Sequence, residues 1–187
     1  MRAIYLHGFQ SSSQSHKGQA LKLFCEANQL PVQIELPSLP DRPTEAKRFI
    51  ENQLAGDSVL AVVGSSLGGC YAHWVASYFH IKAVLVNPAV HAHRLMRPYI
   101  GDNLNPSTHA PFKLDQQDID CLETLDSYSI TQPENFFCML QKGDETLDWS
   151  LAADRYANCK LHIEEGGSHA FDNWQQQLPQ VLEYILN

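Results

Sequence analysis

Short apolar runs alternate with longer amphipathic stretches along the chain. Several of the apolar runs are nearly continuous, as is typical of strands that are buried on both faces of a sheet. They predict six strands, over residues 3–6, 32–36, 59–63, 83–86, 136–140 and 160–163. The amphipathic stretches predict helices over residues 17–29, 43–55, 67–79, 149–157 and 173–186.

The order of these elements predicts the fold class. Strands that alternate with helices indicate a mainly parallel sheet, and right-handed crossovers then place helices on both of its faces. We therefore expect an α/β protein with a three-layer αβα sandwich around a six-stranded sheet. A length of 187 residues fits a single domain that spans residues 1–187.

One segment, residues 88–134, interrupts the alternation. It contains several apolar residues together with four prolines, and it is too long for a simple connection between a strand and a helix. Two interpretations remain open. The segment is either a cap-like insertion of short helices that shapes a pocket, or a helix that packs on the scaffold between loops.

Composition narrows the class of partner and the compartment. The net charge of −8, without a cluster of Lys or Arg, argues against nucleic-acid binding. Five scattered cysteines without a C-x-x-C pair argue against a disulfide framework and a structural zinc site. The first strand begins at once, without the apolar stretch of a signal peptide, and no apolar run approaches a membrane span. We expect a cytoplasmic protein that does not insert into membranes.

The strongest local motif is the G-x-S-x-G of residues 64–68, between a predicted strand and a predicted helix. A serine on such a sharp strand-to-helix turn is the nucleophile of many hydrolases, and the flanking glycines let the chain fold back. Only Ser66 occupies the middle position, so Ser66 rather than Ser65 is the predicted nucleophile. The same loop lacks the Lys-Ser/Thr of a phosphate-binding loop and the third glycine of a dinucleotide fingerprint.

A serine nucleophile needs a histidine base that is oriented by a carboxylate. In this architecture the acid and then the base follow the nucleophile along the chain. His169 follows the last strand after a double glycine and is the predicted base. Asp144, just after the fifth strand, is the predicted acid, and Asp148 is the alternative, although it could instead cap the next helix.

The oxyanion of an acyl-transfer reaction also needs hydrogen-bond donors. We expect these to be the backbone N–H groups of Leu67, directly after the nucleophile, and of Phe9, in the loop after the first strand. His7 is expected to pack and hydrogen-bond beneath that loop. His91 and His93 have no third ligand at a helpful spacing, so no metal and no cofactor are expected.

On these residues, the chain resembles the α/β-hydrolase superfamily and, within it, the small bacterial YqiA-like esterases. The resemblance covers essentially the whole chain. It is carried by the segments Leu6-His7-Gly8-Phe9 with Ser12, Ser15 and Lys17, residues 64–69, Asn87-Pro88-Ala89-Val90, Gly143-Asp144-Glu145 with Leu147-Asp148, and Gly166-Gly167 with His169-Ala170-Phe171. It implies a sheet that lacks the first two strands of larger hydrolases, with the order 2-1-3-4-5-6, and it matches Ser66, Asp144 and His169 to the family triad.

The expected function is therefore hydrolysis of a small-molecule carboxyl ester or acyl thioester through an acyl-enzyme. Ester and thioester cannot be separated, because both share one transition-state geometry. Tyr71, Leu95 and Met96 are candidates for the pocket wall. Two alternatives remain: a non-catalytic binding protein of the same fold, and a lyase or carbon–carbon hydrolase. The latter would need a polar cap residue over Ser66, taken from His91, His93, Arg94 and Arg97.

Overall fold

A computed structural model describes residues 1–55 and 59–187. Within these residues the strands are β1 (Arg2–Leu6), β2 (Gln33–Glu35), β3 (Val59–Ser66), β4 (Lys82–Pro88), β5 (Gly101–Leu104), β6 (Pro111–Leu114), β7 (Phe136–Gln141) and β8 (Lys160–Glu164). The helices are α1 (His16–Ala27), α2 (Pro43–Leu54), α3 (Leu67–Phe79), α4 (Ala92–Met96), α5 (Gln116–Asp126), α6 (Trp149–Arg155) and α7 (Trp174–Leu186).

Six strands form one parallel sheet in the order β2-β1-β3-β4-β7-β8. These are the six strands that the apolar runs predict, so the order 2-1-3-4-5-6 is confirmed. Element ends differ from the predicted ones by a few residues at most. Gly56, before which the second helix is predicted to end, lies outside the described residues.

The hydrophobic core lies on both faces of this sheet. Along β1, Ala3 and Tyr5 face the layer of α1 and α7, whereas Ile4 and Leu6 face the layer of α2, α3, α5 and α6. Alternate residues of a strand point to opposite faces, so a continuous apolar run is what a sheet covered on both sides requires. The three-layer αβα sandwich is confirmed.

The central helix α3 lies deep in one of these layers. Its residues from Leu67 to Ser77 are all buried, because it packs between the sheet and α5. Such an all-round apolar helix is expected in the interior of a layered protein. In the described part of the chain, no helix combines the length and the apolar character needed to cross a membrane.

The insertion at residues 88–134 contains both of the structures that the sequence left open. Its second part is α5, whose Ile119, Leu122 and Leu125 are fully buried against the scaffold. Its first part holds α4, a 3-10 turn at Arg97–Tyr99 and the antiparallel hairpin β5–β6. This first part is the cap-like section, since α4 and the 3-10 turn border the cavity described below.

Ion pairs fasten α5 at both of its ends. At the start, the fully buried carboxylate of Asp118 accepts hydrogen bonds from Arg42 at 3.0 Å and from the Thr44 hydroxyl at 2.7 Å. At the end, Asp126 pairs with both terminal nitrogens of Arg155, on α6. The helix is therefore tied to α2 at one end and to α6 at the other.

Candidate active site

Ser66 occupies a strained turn between β3 and α3. It is the last residue of the strand, and its φ of 56° and ψ of −122° lie outside the regions that L-residues favour. The turn is crowded: a Cβ on Gly64 would collide with the Gly68 carbonyl, and one on Gly68 with the Leu6 carbonyl. The motif glycines are therefore required, and backbone strain of this kind is typical of functional sites.

A cavity of about 400 Å³ lies beside Ser66. Ser66 and His169 both border it, whereas the neighbouring Ser65 is only 4% exposed. Two further polar side chains, Gln10 and Thr146, reach the cavity. The rest of its wall is apolar and consists of Phe9, Leu67, Ala89, Ala92, Leu95, Met96, Tyr99 and Leu147.

The predicted wall residues Leu95 and Met96 belong to this lining, but Tyr71 does not. The Tyr71 side chain is buried within α3 and borders a separate small space next to His7 and Leu39. Its position one helical turn after Leu67 carries it into the layer beneath the turn. Tyr71 therefore lies next to the cavity but not among the residues that line it.

Asp144 and His169 are in direct contact. The imidazole Nδ1 lies 2.8 Å from the Asp144 Oδ2, and the carboxylate is almost fully buried. Asp144 Oδ1 accepts hydrogen bonds from the backbone N–H groups of Thr146 and Leu147, both at 2.8 Å. Burial alone would raise the pKa of Asp144, but the hydrogen bonds from His169, Leu147 and Thr146 outweigh it and lower the pKa. The carboxylate is thus charged and fixed in place.

The alternative acid, Asp148, is engaged elsewhere. Its Oδ1 accepts hydrogen bonds from the backbone N–H and the hydroxyl of Ser150, at 3.0 and 2.6 Å. Asp148 thereby caps the N-terminus of α6, a position that favours aspartate. The structure brings Asp144, and not Asp148, to His169.

Among the described residues, Ser66 and His169 do not share a direct hydrogen bond of the kind that joins His169 to Asp144. Both side chains border the cavity. Hydrogen bonds between a nucleophile and its base are often long before substrate binds and tighten in the complex. Since Asp144 holds Nδ1, the nitrogen left for a proton transfer is Nε2.

Two backbone N–H groups lie close to Ser66. Leu67 opens α3, where the first N–H groups have no acceptor within the helix. The loop after β1 passes so close that a Cβ on Gly8 would lie 3.2 Å from the Ser66 Cβ. Phe9 follows directly, and in the described residues neither its N–H nor that of Leu67 donates a loop, cap or side-chain hydrogen bond. These are the two amides that the sequence predicts as oxyanion donors.

His7 lies under this loop as a structural residue. Its Nε2 accepts a hydrogen bond from the Leu39 N–H at 2.9 Å, so its Nδ1 donates to the Gly8 carbonyl, also at 2.9 Å. Burial lowers the pKa of His7, which keeps the ring neutral. Both nitrogens are occupied, as the sequence predicts for a packing residue.

The loop that carries His169 is held by two buried side-chain amides that the sequence does not reveal. The first is Asn87, at the end of β4. Its Nδ2 donates to the carbonyls of Ser168 and His169, at 3.0 and 3.3 Å, and its Oδ1 accepts from the Gln141 N–H at 3.0 Å. Asn87 thus links two neighbouring strand ends to the backbone of the predicted base.

The second amide is Gln141, at the end of β7. Its Oε1 accepts from the N–H groups of Ser168 and Asp172, at 3.0 and 2.7 Å. Its Nε2 donates to Glu164 at 2.6 Å and to the Asp172 carbonyl at 2.9 Å. All four hydrogen-bonding positions of this fully buried side chain are therefore used, three of them by the loop and one by Glu164 at the end of β8.

Gln141→Leu is expected to lower the free energy of unfolding by about 3 kcal/mol, because the buried amide loses four hydrogen bonds to partly buried groups of the loop and of β8. Urea denaturation measures this change. The matched control is Gln175→Leu, at an exposed position of α7, which is expected to stay within about 0.5 kcal/mol of the parent protein. Equal effects of the two substitutions would contradict the role assigned to Gln141.

A metal has no evident place in the described part of the chain, where no three His, Cys, Asp or Glu side chains are grouped to bind an ion. The two histidines considered for such a role are directed elsewhere. His91 lies 3.4 Å from Asp126, and His93 lies 4.0 Å from Glu123.

A comparison with known protein families assigns the chain to one of them. A family model described as "Uncharacterised protein family (UPF0227)" matches residues 2–186. The chain belongs to the UPF0227 family. This membership confirms the resemblance to YqiA-like proteins that the motifs indicate. A UPF0227 protein of Serratia proteamaculans (strain 568) is 24% identical over 194 residues, which cover 97% of each chain.

Solved structures share the UPF0227 fold of this chain at low identity. Est1E from Butyrivibrio proteoclasticus superposes with a TM-score of 0.70 at 17% identity, over 100% of this chain and 88% of Est1E. The monoacylglycerol lipase of Paleococcus ferrophilus superposes with a TM-score of 0.70 at 14% identity, over 99% of this chain and 93% of the lipase. The α/β-hydrolase fold of this UPF0227 member is therefore established.

Proposed function

We propose that the protein is a serine hydrolase that cleaves carboxyl esters or acyl thioesters through Ser66, His169 and Asp144. The observation that carries this proposal is the 2.8 Å contact between Asp144 and the Nδ1 of His169, at a cavity that the strained Ser66 also borders. An imidazole bound in this way has its Nε2 free to accept a proton from a serine hydroxyl.

The reaction runs in two steps. His169 Nε2 takes the proton of the Ser66 hydroxyl as its Oγ attacks the acyl carbonyl carbon, and the N–H groups of Phe9 and Leu67 stabilise the oxyanion. His169 then returns the proton to the departing alcohol or thiol. Water hydrolyses the acyl-enzyme by the same path, and Asp144 stabilises the imidazolium in both steps.

The chemistry of the cavity supports an acyl substrate. Eight of its twelve lining residues are apolar, with Tyr99 counted among them, and none of the twelve is an Asp, Glu, Lys or Arg. The names of the structurally similar proteins, an esterase-type protein and a monoacylglycerol lipase, are consistent with this class of substrate. The four cap residues considered for a lyase, His91, His93, Arg94 and Arg97, are absent from the described residues that line the cavity.

A fluorophosphonate probe tests the proposal directly, since it phosphonylates only an activated serine. Wild-type protein is expected to gain one adduct, which peptide mapping assigns to Ser66. Ser65→Ala is the control and is expected to label like wild type, because Ser65 is buried away from the cavity. Folded wild-type protein that takes up no probe would instead favour the non-catalytic binding protein.

Met96→Ala is expected to shift the acyl preference toward longer chains, because a smaller side chain in the apolar wall enlarges the cavity. A methylene group in an apolar pocket changes kcat/KM by a factor of about ten or more. We therefore expect the ratio of kcat/KM for octanoyl over butyryl nitrophenyl esters to rise about tenfold. Leu151→Ala, an exposed position on α6, is the control and is expected to leave this ratio unchanged.

A further inference from the structure

The oxyanion loop, which we define as residues 8–11, is attached to the hairpin β5–β6 of the insertion. The Ser107 hydroxyl, in the turn of the hairpin, donates to the Gln10 carbonyl at 2.9 Å. Asn105 Nδ2 donates to the Ser11 carbonyl at 3.3 Å, and Gln10 Nε2 reaches the Leu104 carbonyl at 3.5 Å. Residues almost one hundred positions apart in the chain are thereby joined.

Asn105 is the centre of this attachment. It is only 2% exposed, and its Oδ1 accepts from the N–H groups of Ser107 and Thr108, at 2.8 and 3.2 Å. These two donors fix the orientation of the amide, so its Nδ2 must point to the Ser11 carbonyl and to Asp41 Oδ1, which lies at 2.6 Å. One face of the side chain holds the hairpin turn, and the other holds the oxyanion loop.

Aromatic packing joins the same two segments. The Phe9 ring lies edge-on to Tyr99, with centroids 5.0 Å apart, and to Phe112 of β6, at 5.9 Å. Edge-to-face pairs of this kind contribute beyond the area that they bury. The side chain of the residue that supplies the predicted second oxyanion donor is therefore fixed by the insertion.

Hydrogen bonds within the oxyanion loop do little to fix its conformation. Gln10 has a φ of 55°, which is costly for a residue with a side chain. Within this loop the described backbone contact is a single long hydrogen bond of 3.3 Å, from the Ser11 N–H to the Gly8 carbonyl. A conformation of this kind persists only where the surroundings impose it.

We propose that Asn105 and Ser107 are positioning residues that hold the Phe9 N–H toward the oxyanion. The inference rests on the proposed function and adds to it, because it assigns part of the transition-state binding to the insertion rather than to the sheet. A donor that is displaced by even an ångström loses much of its effect on the rate, whereas the apolar cavity that binds the acyl group stays intact.

The test uses two substitutions that break the attachment in different ways. Asn105→Asp keeps the acceptor for Ser107 and Thr108 but loses the donor to Ser11 and sets a second carboxylate against Asp41. Ser107→Ala removes one exposed hydrogen bond and does not threaten the fold. Thr108→Ala is the matched control, since its hydroxyl contacts only the hairpin itself, and Ser107→Thr should retain wild-type kinetics.

The readouts are kcat and KM for nitrophenyl butyrate and the affinity for an alkyl trifluoromethyl ketone, which adds to the Ser66 Oγ and forms a tetrahedral oxyanion. We expect kcat to fall about tenfold in Asn105→Asp and about threefold in Ser107→Ala, with KM within about twofold of wild type. The affinity for the ketone should fall in the same proportion as kcat/KM, because both depend on the oxyanion donors.

Three outcomes would overturn the inference: an unchanged kcat in Ser107→Ala and Asn105→Asp, a rise in KM alone, or a fall in kcat without loss of ketone affinity. These outcomes are distinct from failure of the proposed function. In that case wild-type protein would neither hydrolyse the ester nor react with the fluorophosphonate probe.

Discussion

Ser66→Ala is expected to lower kcat for a short activated ester by about five orders of magnitude, because it removes the hydroxyl that forms the acyl-enzyme in the proposed mechanism. Alanine keeps the Cβ, so the strain of the turn is the same in both proteins. The free energy of unfolding should therefore change by less than about 0.5 kcal/mol. Steady-state hydrolysis of nitrophenyl butyrate, beside thermal unfolding, measures both quantities.

The control for this substitution is Ser65→Ala. Ser65 precedes Ser66 on β3 but is buried, so its replacement is expected to leave kcat within about twofold of wild type. Full activity of Ser66→Ala on the ester would show that another group carries the reaction, and the assignment of the nucleophile would then be wrong.

Asp144→Asn is expected to lower kcat by about four orders of magnitude, because it changes the tautomer of His169. The N–H groups of Thr146 and Leu147 both point at Oδ1, so the amide of an asparagine would place its oxygen there and its NH₂ against the imidazole. Nδ1 would then have to accept, and the ring proton would move to Nε2. An imidazole with its proton on Nε2 cannot take the proton of Ser66.

Asp148→Asn is the matched control, because it makes the same chemical change four residues later. Asparagine is as good an N-cap as aspartate, so the start of α6 is expected to persist and kcat to stay within about twofold of wild type. A loss in Asp148→Asn as large as that in Asp144→Asn would contradict the assignment of the acid. Circular dichroism and the same ester assay provide the comparison.

The sheet could be predicted from the sequence because its signal is local. Each central strand is an apolar run that is buried on both faces, and turn residues separate the strands from amphipathic helices. The G-x-S-x-G turn is also local, since the crowding at Gly64 and Gly68 leaves few other residues possible there. Asp144 and His169 could be located because they follow strands whose ends meet at one edge of a parallel sheet.

The sequence defines the insertion only as a segment, although it carries part of the signal for helix α5. Ile119, Leu122 and Leu125 recur at helical spacing, and Asp115 with Asp118 forms a capping box at the start of α5. These features predict a packing helix there. The hairpin β5–β6 has four-residue strands with partly exposed faces, so it carries no comparable pattern of apolar residues.

The amides that hold the two loops could not be found from the sequence. Asn87, Gln141 and Asn105 bind distant partners that lie 23 to 94 positions away, and a single polar residue gives no sign of such a partner. Their roles come from burial combined with complete hydrogen bonding, which only the folded chain defines. Asn87 belongs to a segment that carries the family resemblance, but its contacts were not predictable from that resemblance.

The fastening of α5 at both ends has a consequence for how this scaffold could diversify. Asp118 and Asp126 anchor the helix to α2 and α6, so the stretch from residue 92 to residue 114 lies between strand β4 and an anchored helix. Evolution or an engineer could exchange the exposed part of that stretch for one of another length, provided that Ala92, Met96 and Leu114 stay in the core. A transplanted segment would still have to hydrogen-bond the loop after β1. Without that contact, we expect a new specificity to be accompanied by a lower kcat.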